Sequence, residues 1–243
     1  MRRIASWISI IAGLSVIGSI SFPTAAAERL QLAVIGGTGT IGQRIVSEAL
    51  ARQHRVTLIA RDPAGFARRD EGLTIVAGDV LDSSAIARVV RGHDVVISAV
   101  GAARAAEPDY SLYRRAAESL VEALRSIGPG APRLIVVGGV GSLRGADGRL
   151  LLEEVPAERL PEHLGQKAAL DFYRDVSDVR WTYVSPPARI APGERTGVYR
   201  TGTEELLVSA EGRSEISMED YAVALLDEAE RPQHVRQRFT VGY

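Results

Sequence analysis

Gly36, Gly39 and Gly42 recur every third residue within GGTGTIGQ, where an apolar run, LQLAVI, gives way to an amphipathic stretch. Residues without a Cβ permit a tight turn, bring backbone N–H groups close to a ligand, and let the next helix pack closely on its strand. A helix N-terminus adds unpaired amides and the positive end of a dipole, both of which favour a bound phosphate. The pattern therefore predicts a cradle for a dinucleotide pyrophosphate formed by Gly36, Thr38, Gly39, Thr40, Ile41 and Gly42. Glycine is abundant, with 24 residues, so position between strand and helix carries this reading, not number.

Further segments have the chemistry to complete such a site. Arg61 stands in Ala60-Arg61-Asp62-Pro63, where NAD-specific folds usually turn an acid toward the ribose hydroxyls. A guanidinium there suits a 2′-phosphate, so NADP(H) is expected in preference to NAD(H); Asp62, one residue on, leaves NAD(H) open. In Gly78-Asp79-Val80, Asp79 and Val80 are placed to border the adenine, with Asp79 accepting from its amino group. The other reading of Asp79 is a helix cap, which Asp82 or Ser83 fits better. Ala99, Val100 and Gly101 are small enough to admit the nicotinamide ribose, and Ser185, Pro186 and Pro187 would shape the nicotinamide pocket.

Positioning these groups requires alternating elements. Strand candidates fall at 31–35, 56–60, 73–77, 94–99, 133–138, 180–184 and 238–241, with continuous apolarity of the kind a parallel sheet covered on both faces demands. Helical patterns occupy about 41–53, 82–91, 111–127, 164–175 and 216–230. The order predicts an α/β fold: one doubly wound parallel sheet in a single domain over 28–243, with ligands at the carboxyl ends of the strands. Residues 187–217 break the alternation and are expected to form a small substrate cap.

Composition narrows the function. With 243 residues, a formal charge of −1 and 46% hydrophobic content, a nucleic-acid partner is not expected. The chain has no cysteine, and its four histidines are scattered, so metal-free chemistry is expected. Residues 1–27 combine Arg2-Arg3, an apolar run and a small-residue end at Ala25-Ala26-Ala27, the pattern of a signal peptide. The expected location is periplasmic or secreted without stable membrane association, or membrane-anchored if the signal is not cut.

GGTGTIGQ, ARDP, AGDVLD, ISAVGA, VSPPARIAPGERTGVYR and ISMEDYAVALLDEAE together resemble the atypical short-chain dehydrogenase/reductases of the NAD(P)H-binding, NmrA-like type. The likeness runs from Leu30 to Tyr243 and is greatest to NADH-flavin reductase-like proteins and to flavin/biliverdin-IXβ reductases. It implies a Rossmann fold, a nicotinamide cofactor and reduction of flavins, quinones or tetrapyrroles. Typical relatives use Tyr-x-x-x-Lys with a nearby serine to protonate a carbonyl. Here the motif reads His163-x-x-x-Lys167, with Ser142 at the end of GGVGS. Lys167, the single lysine beside 28 arginines, is a candidate for a cofactor-ribose contact, and His163 for a proton donor.

Without the tyrosine, the expected reaction is hydride transfer to a planar acceptor such as a flavin or quinone, where geometry matters more than a strong acid. The alternative is a non-catalytic NADP(H)-binding redox sensor. Tyr110, Tyr113, Tyr183 and Tyr199 are available to the acceptor region, Arg104 and Arg189 to an acidic group on it, and the protein is expected to be a monomer or homodimer.

Overall fold

The computed structural model describes residues 29–64, 66–102 and 107–243; the expected signal peptide and Arg104 lie outside them. Continuous apolar runs become β1 (Gln31–Ile35), β2 (Arg55–Ala60), β3 (Leu73–Ala77), β4 (Val95–Ser98), β5 (Arg133–Val137), β6 (Trp181–Ser185) and β10 (Gln237–Gly242). These strands are mutually parallel in the order β3-β2-β1-β4-β5-β6-β10.

The helices separate by face, which is why the strands are apolar on both sides. Helices α1 (Thr40–Ala51) and α5 (Met218–Glu230) bury Ile45, Val46, Tyr221 and Leu225 against Leu32, Val34 and Phe239. On the other face α2 (Ser83–Val90), α3 (Leu112–Ile127) and α4 (Leu160–Arg174) bury Ile86, Leu120, Leu124 and Leu170 against Ala33, Ile35 and Leu134. The expected doubly wound sheet is thus present, with α2 capped by Asp82, whose Oδ1 accepts the Ala85 N–H at 2.8 Å. Among the described residues no helix is long and apolar enough to cross a membrane.

Two differences from the sequence reading stand out. Helix α4 begins at Leu160, earlier than the apolar period indicates, because Pro161 is well suited to a first turn. Residues 187–217 contain three short strands, β7 (Arg189–Ala191), β8 (Arg200–Gly202) and β9 (Glu215–Ser217). Strand β8 extends the main sheet antiparallel to β10, and β7 pairs with β9 in a separate two-stranded sheet.

This irregular segment is tied down by Asp220, which is wholly buried in the first turn of α5. Its carboxylate accepts from Thr196 Oγ1 at 2.5 Å, the Gly197 N–H at 2.7 Å and the Tyr243 hydroxyl at 2.7 Å. Burial alone would raise its pKa, but these hydrogen bonds outweigh it and hold the carboxyl below its ordinary 3.8. Asp220→Ala should therefore cost about 3 kcal/mol, seen as a loss of roughly 6–12 °C in Tm by calorimetry. A depressed folded pKa means this stabilisation is complete above the unfolded value and lost as pH falls through the folded one. The gap between wild type and variant should accordingly be widest near neutrality and close in acid.

Candidate functional site

At the carboxyl ends of β1 and β4, connections leave the sheet in opposite directions and open a crevice of about 540 Å³. Its floor is the glycine turn. Gly36 takes φ +76°, and a Cβ there would lie 2.5 Å from the Ala99 carbonyl oxygen. At Gly42 a Cβ would lie 2.7 Å from the Gly37 Cα, so α1 can pack on the turn only with glycine in that position. Gly39 is different: its φ of −73° is open to any residue, and its nearest obstruction is the Gly36 oxygen at 3.2 Å. The protein's own packing is less strict at Gly39 than at Gly36 or Gly42, since the Gly36 oxygen would have to give only a few tenths of an ångström, and a bare Cα there also leaves room for close approach by a ligand.

The first turn of α1 keeps its amides open for that ligand. No side chain caps it, and it carries no acidic residue. Gln43 Nε2 donates to the Thr38 carbonyl at 2.8 Å and holds the loop in place. A dinucleotide pyrophosphate fits this cradle, with Gly36, Thr38, Gly39, Thr40, Ile41 and Gly42 all on its wall.

The two ends of the crevice differ in character. At one end Arg61, Asp79 and Val80 reach the lining, and the Arg61 side chain is exposed. Asp62 instead accepts the Ala64 N–H at 3.0 Å, closing its own turn, and Asp79 Oδ1 accepts the Leu81 N–H at 3.0 Å. At the other end lie Ala99, Val100, Gly101, Pro186 and Pro187, as the sequence indicated.

The expected catalytic trio is not assembled. His163 lines the crevice and is buried. Lys167 lies outside the lining and donates to Asp171 Oδ2 at 2.6 Å, one turn along α4. Ser142 and Ser185 also lie behind the wall. Both hydroxyls accept from the buried Arg238 guanidinium, at 3.4 and 3.3 Å, and Arg238 also pairs with Glu204. Arg238 thereby ties the loop after β5 to the end of β6.

Other aromatic and cationic candidates divide similarly. Tyr113 lines the crevice, with its hydroxyl donating to Glu162 Oε1 at 3.2 Å. Tyr183 is core and donates to the Gln166 carbonyl, Tyr199 donates to Asp227 at 2.6 Å, and Arg189 pairs with Glu215 at 2.9 Å.

Sequence reasoning missed Arg159, Glu162, Gln166, Ile190 and Met218 in the lining. A signal for α4 was present in GGVG. A Cβ at Gly139 would lie 2.6 Å from Gln166 Cδ, and one at Gly141 3.0 Å from His163 Nδ1. Those glycines admit the helix.

The contrast between the turn glycines is testable. Gly42→Ala should overpack the turn and lower Tm by several degrees, at about 1–3 kcal/mol. Gly39→Ala should melt within about 2 °C of wild type yet lose most dinucleotide affinity by calorimetry.

Three relatives align over nearly their whole length. The Bacillus subtilis protein YwnB is 36% identical over 217 residues, covering 87% of this chain and 98% of YwnB. A crystal structure from Burkholderia pseudomallei, described as a "putative exported protein", is 38% identical, covers 88% of this chain and 100% of its own, and has a TM-score of 0.78. One from Streptococcus pneumoniae, described as a "putative NADH-flavin reductase", is 33% identical, covers 88% and 99%, and has a TM-score of 0.77. A family model for NAD(P)H-binding proteins matches residues 36–232, spanning the cradle, the crevice walls and α5, and the chain belongs to that NAD(P)H-binding family.

Proposed function

We propose that the protein is an NAD(P)H-dependent reductase that prefers NADP(H) and passes reducing equivalents to a small planar acceptor such as a flavin or quinone. The observation carrying this reading is one continuous crevice with an amide-lined turn in its floor, an exposed guanidinium at one end and proline-walled space at the other. A reduced nicotinamide, when bound, supplies a hydride. Gly39, Thr40 and Ile41 at the start of α1 would hold the pyrophosphate, and Arg61 the 2′-phosphate. Ala99, Val100, Gly101, Pro186 and Pro187 would seat the nicotinamide half, leaving the side toward Tyr113, Gln166 and Ile190 for the acceptor.

With Lys167 paired to Asp171 and Ser142 to Arg238, the chain offers no tyrosine-lysine dyad to a secondary alcohol. A flat acceptor needs chiefly stacking geometry, which the crevice walls supply. The Streptococcus relative's description points the same way. Work outside the cytoplasm is supported by the leader-like residues 1–27 and by the Burkholderia relative's description.

The same engagement of Ser142 and Lys167 also suits a sensor that binds NADP(H) without turnover. Steady-state oxidation of NADPH with FMN and simple quinones separates the two: turnover supports the reductase, whereas tight binding without turnover on any planar acceptor leaves the sensor. Arg61→Glu should raise the Kd for NADPH at least about tenfold more than that for NADH, a difference of ~1.4 kcal/mol. Equal losses for both would remove the 2′-phosphate assignment.

A further inference from the structure

His163 is the buried titratable side chain whose hydrogen-bonding is incomplete at the crevice wall: it is 6% exposed, and its Nδ1 has no partner among the described residues. The ring lies beneath the loop after β5, where a Cβ on Gly141 would stand 3.0 Å from that nitrogen. An imidazole has two nitrogens, and in the neutral ring one donates while the other accepts. A buried N–H with nothing to receive it is rarer and costlier than a buried lone pair without a donor. The proton therefore belongs on Nε2.

We infer that His163 serves the acceptor half of the crevice as a neutral imidazole fixed in its Nε2–H form, donating a hydrogen bond to the oxygen or nitrogen of the acceptor on which negative charge develops. This assignment rests on the reductase reading above. A quinone or flavin that receives a hydride gains two electrons and one proton and becomes an anion. His163 stabilises that anion, the second proton comes from water, and the imidazole ends the cycle unchanged. It is not the proton source.

The surroundings keep the ring uncharged. Burial is the largest influence and lowers the His163 pKa from 6.5; the neighbouring Arg159 guanidinium lowers it further, and only Glu162 opposes them. From α3 the facing titratable group is Tyr113, which burial keeps protonated and which already donates to Glu162. The loop Gly138-Gly139-Val140-Gly141 brings no ionisable side chain. Gln166, also on α4, is neutral.

The test is ¹⁵N NMR of the full protein with ring-labelled histidine, in which His163→Gln assigns the His163 signals. The expected result is the neutral Nε2–H pattern near pH 8, giving way to the imidazolium only below the ordinary imidazole value of 6.5. The Nε2 signal should then move when FMN or a naphthoquinone is added to protein saturated with NADP⁺. An Nδ1–H pattern, an imidazolium titrating near its ordinary value, or acceptor binding that leaves Nε2 unmoved would overturn the assignment.

Kinetics supply a second readout. His163→Gln, which keeps an N–H donor, should retain kcat within about threefold, whereas His163→Leu should lose roughly 10- to 100-fold in kcat with little change in KM. Neither wild-type nor His163→Leu kcat should show an inflection at the ordinary imidazole value of 6.5. Equal kcat for both variants would overturn the donor role. Absence of NADPH binding to wild type would sink the reductase reading as well, whereas NADPH turnover with the wrong tautomer would sink only the role of His163.

Discussion

Backbone meets backbone without intervening side chains at the end of β1, and the geometry of the crevice depends on that contact. The Gly36 Cα sits against the Ala99 carbonyl, and the Gly42 Cα against the Gly37 Cα, both at separations that a methyl group would violate. This brings α1, β1 and the end of β4 to one point. The helix amides and the small residues after β4 consequently face the same space. A wider turn would separate the helix amides from the small residues after β4 and split the crevice in two.

The opposite wall is secured by charge. Arg238 is almost fully buried and joins the hydroxyls of Ser142 and Ser185, so the loop after β5 and the end of β6 share one anchor. Glu204, from the irregular segment, pairs with both Arg238 and Arg174. A second cluster fixes the other end of that segment: Arg195 meets Glu48 at 2.7 Å, and Arg52 links Glu48 to Asp227 and Glu230. Buried or half-buried pairs of this kind contribute through geometry more than through net stabilisation, because desolvation offsets much of their attraction.

The main strands and helices were legible because a parallel sheet covered on both faces writes long apolar runs into the chain. That the glycine turn and the residue after β2 would face one crevice was legible too, since the strand-turn-helix order fixes where those backbone positions fall. The rest depended on side-chain direction. The resemblance to Tyr-x-x-x-Lys made His163 and Lys167 look like a pair, yet Lys167 donates to Asp171 one turn along, and Gln166 reaches the crevice. The engagement of Ser142 was not legible because its partner, Arg238, lies 96 residues distant. Strands β7, β8 and β9 are three residues each, too short to show a period.

Strand β8 has an effect on the sheet as a whole. By pairing antiparallel with β10 it turns the C-terminal strand of the chain into an interior member, leaving at that margin only a three-residue strand that carries Arg200. Short, charged margins discourage a second molecule from adding its own strand. A margin this short and charged gives the sheet a blunted border, a safeguard against edge-to-edge polymerisation.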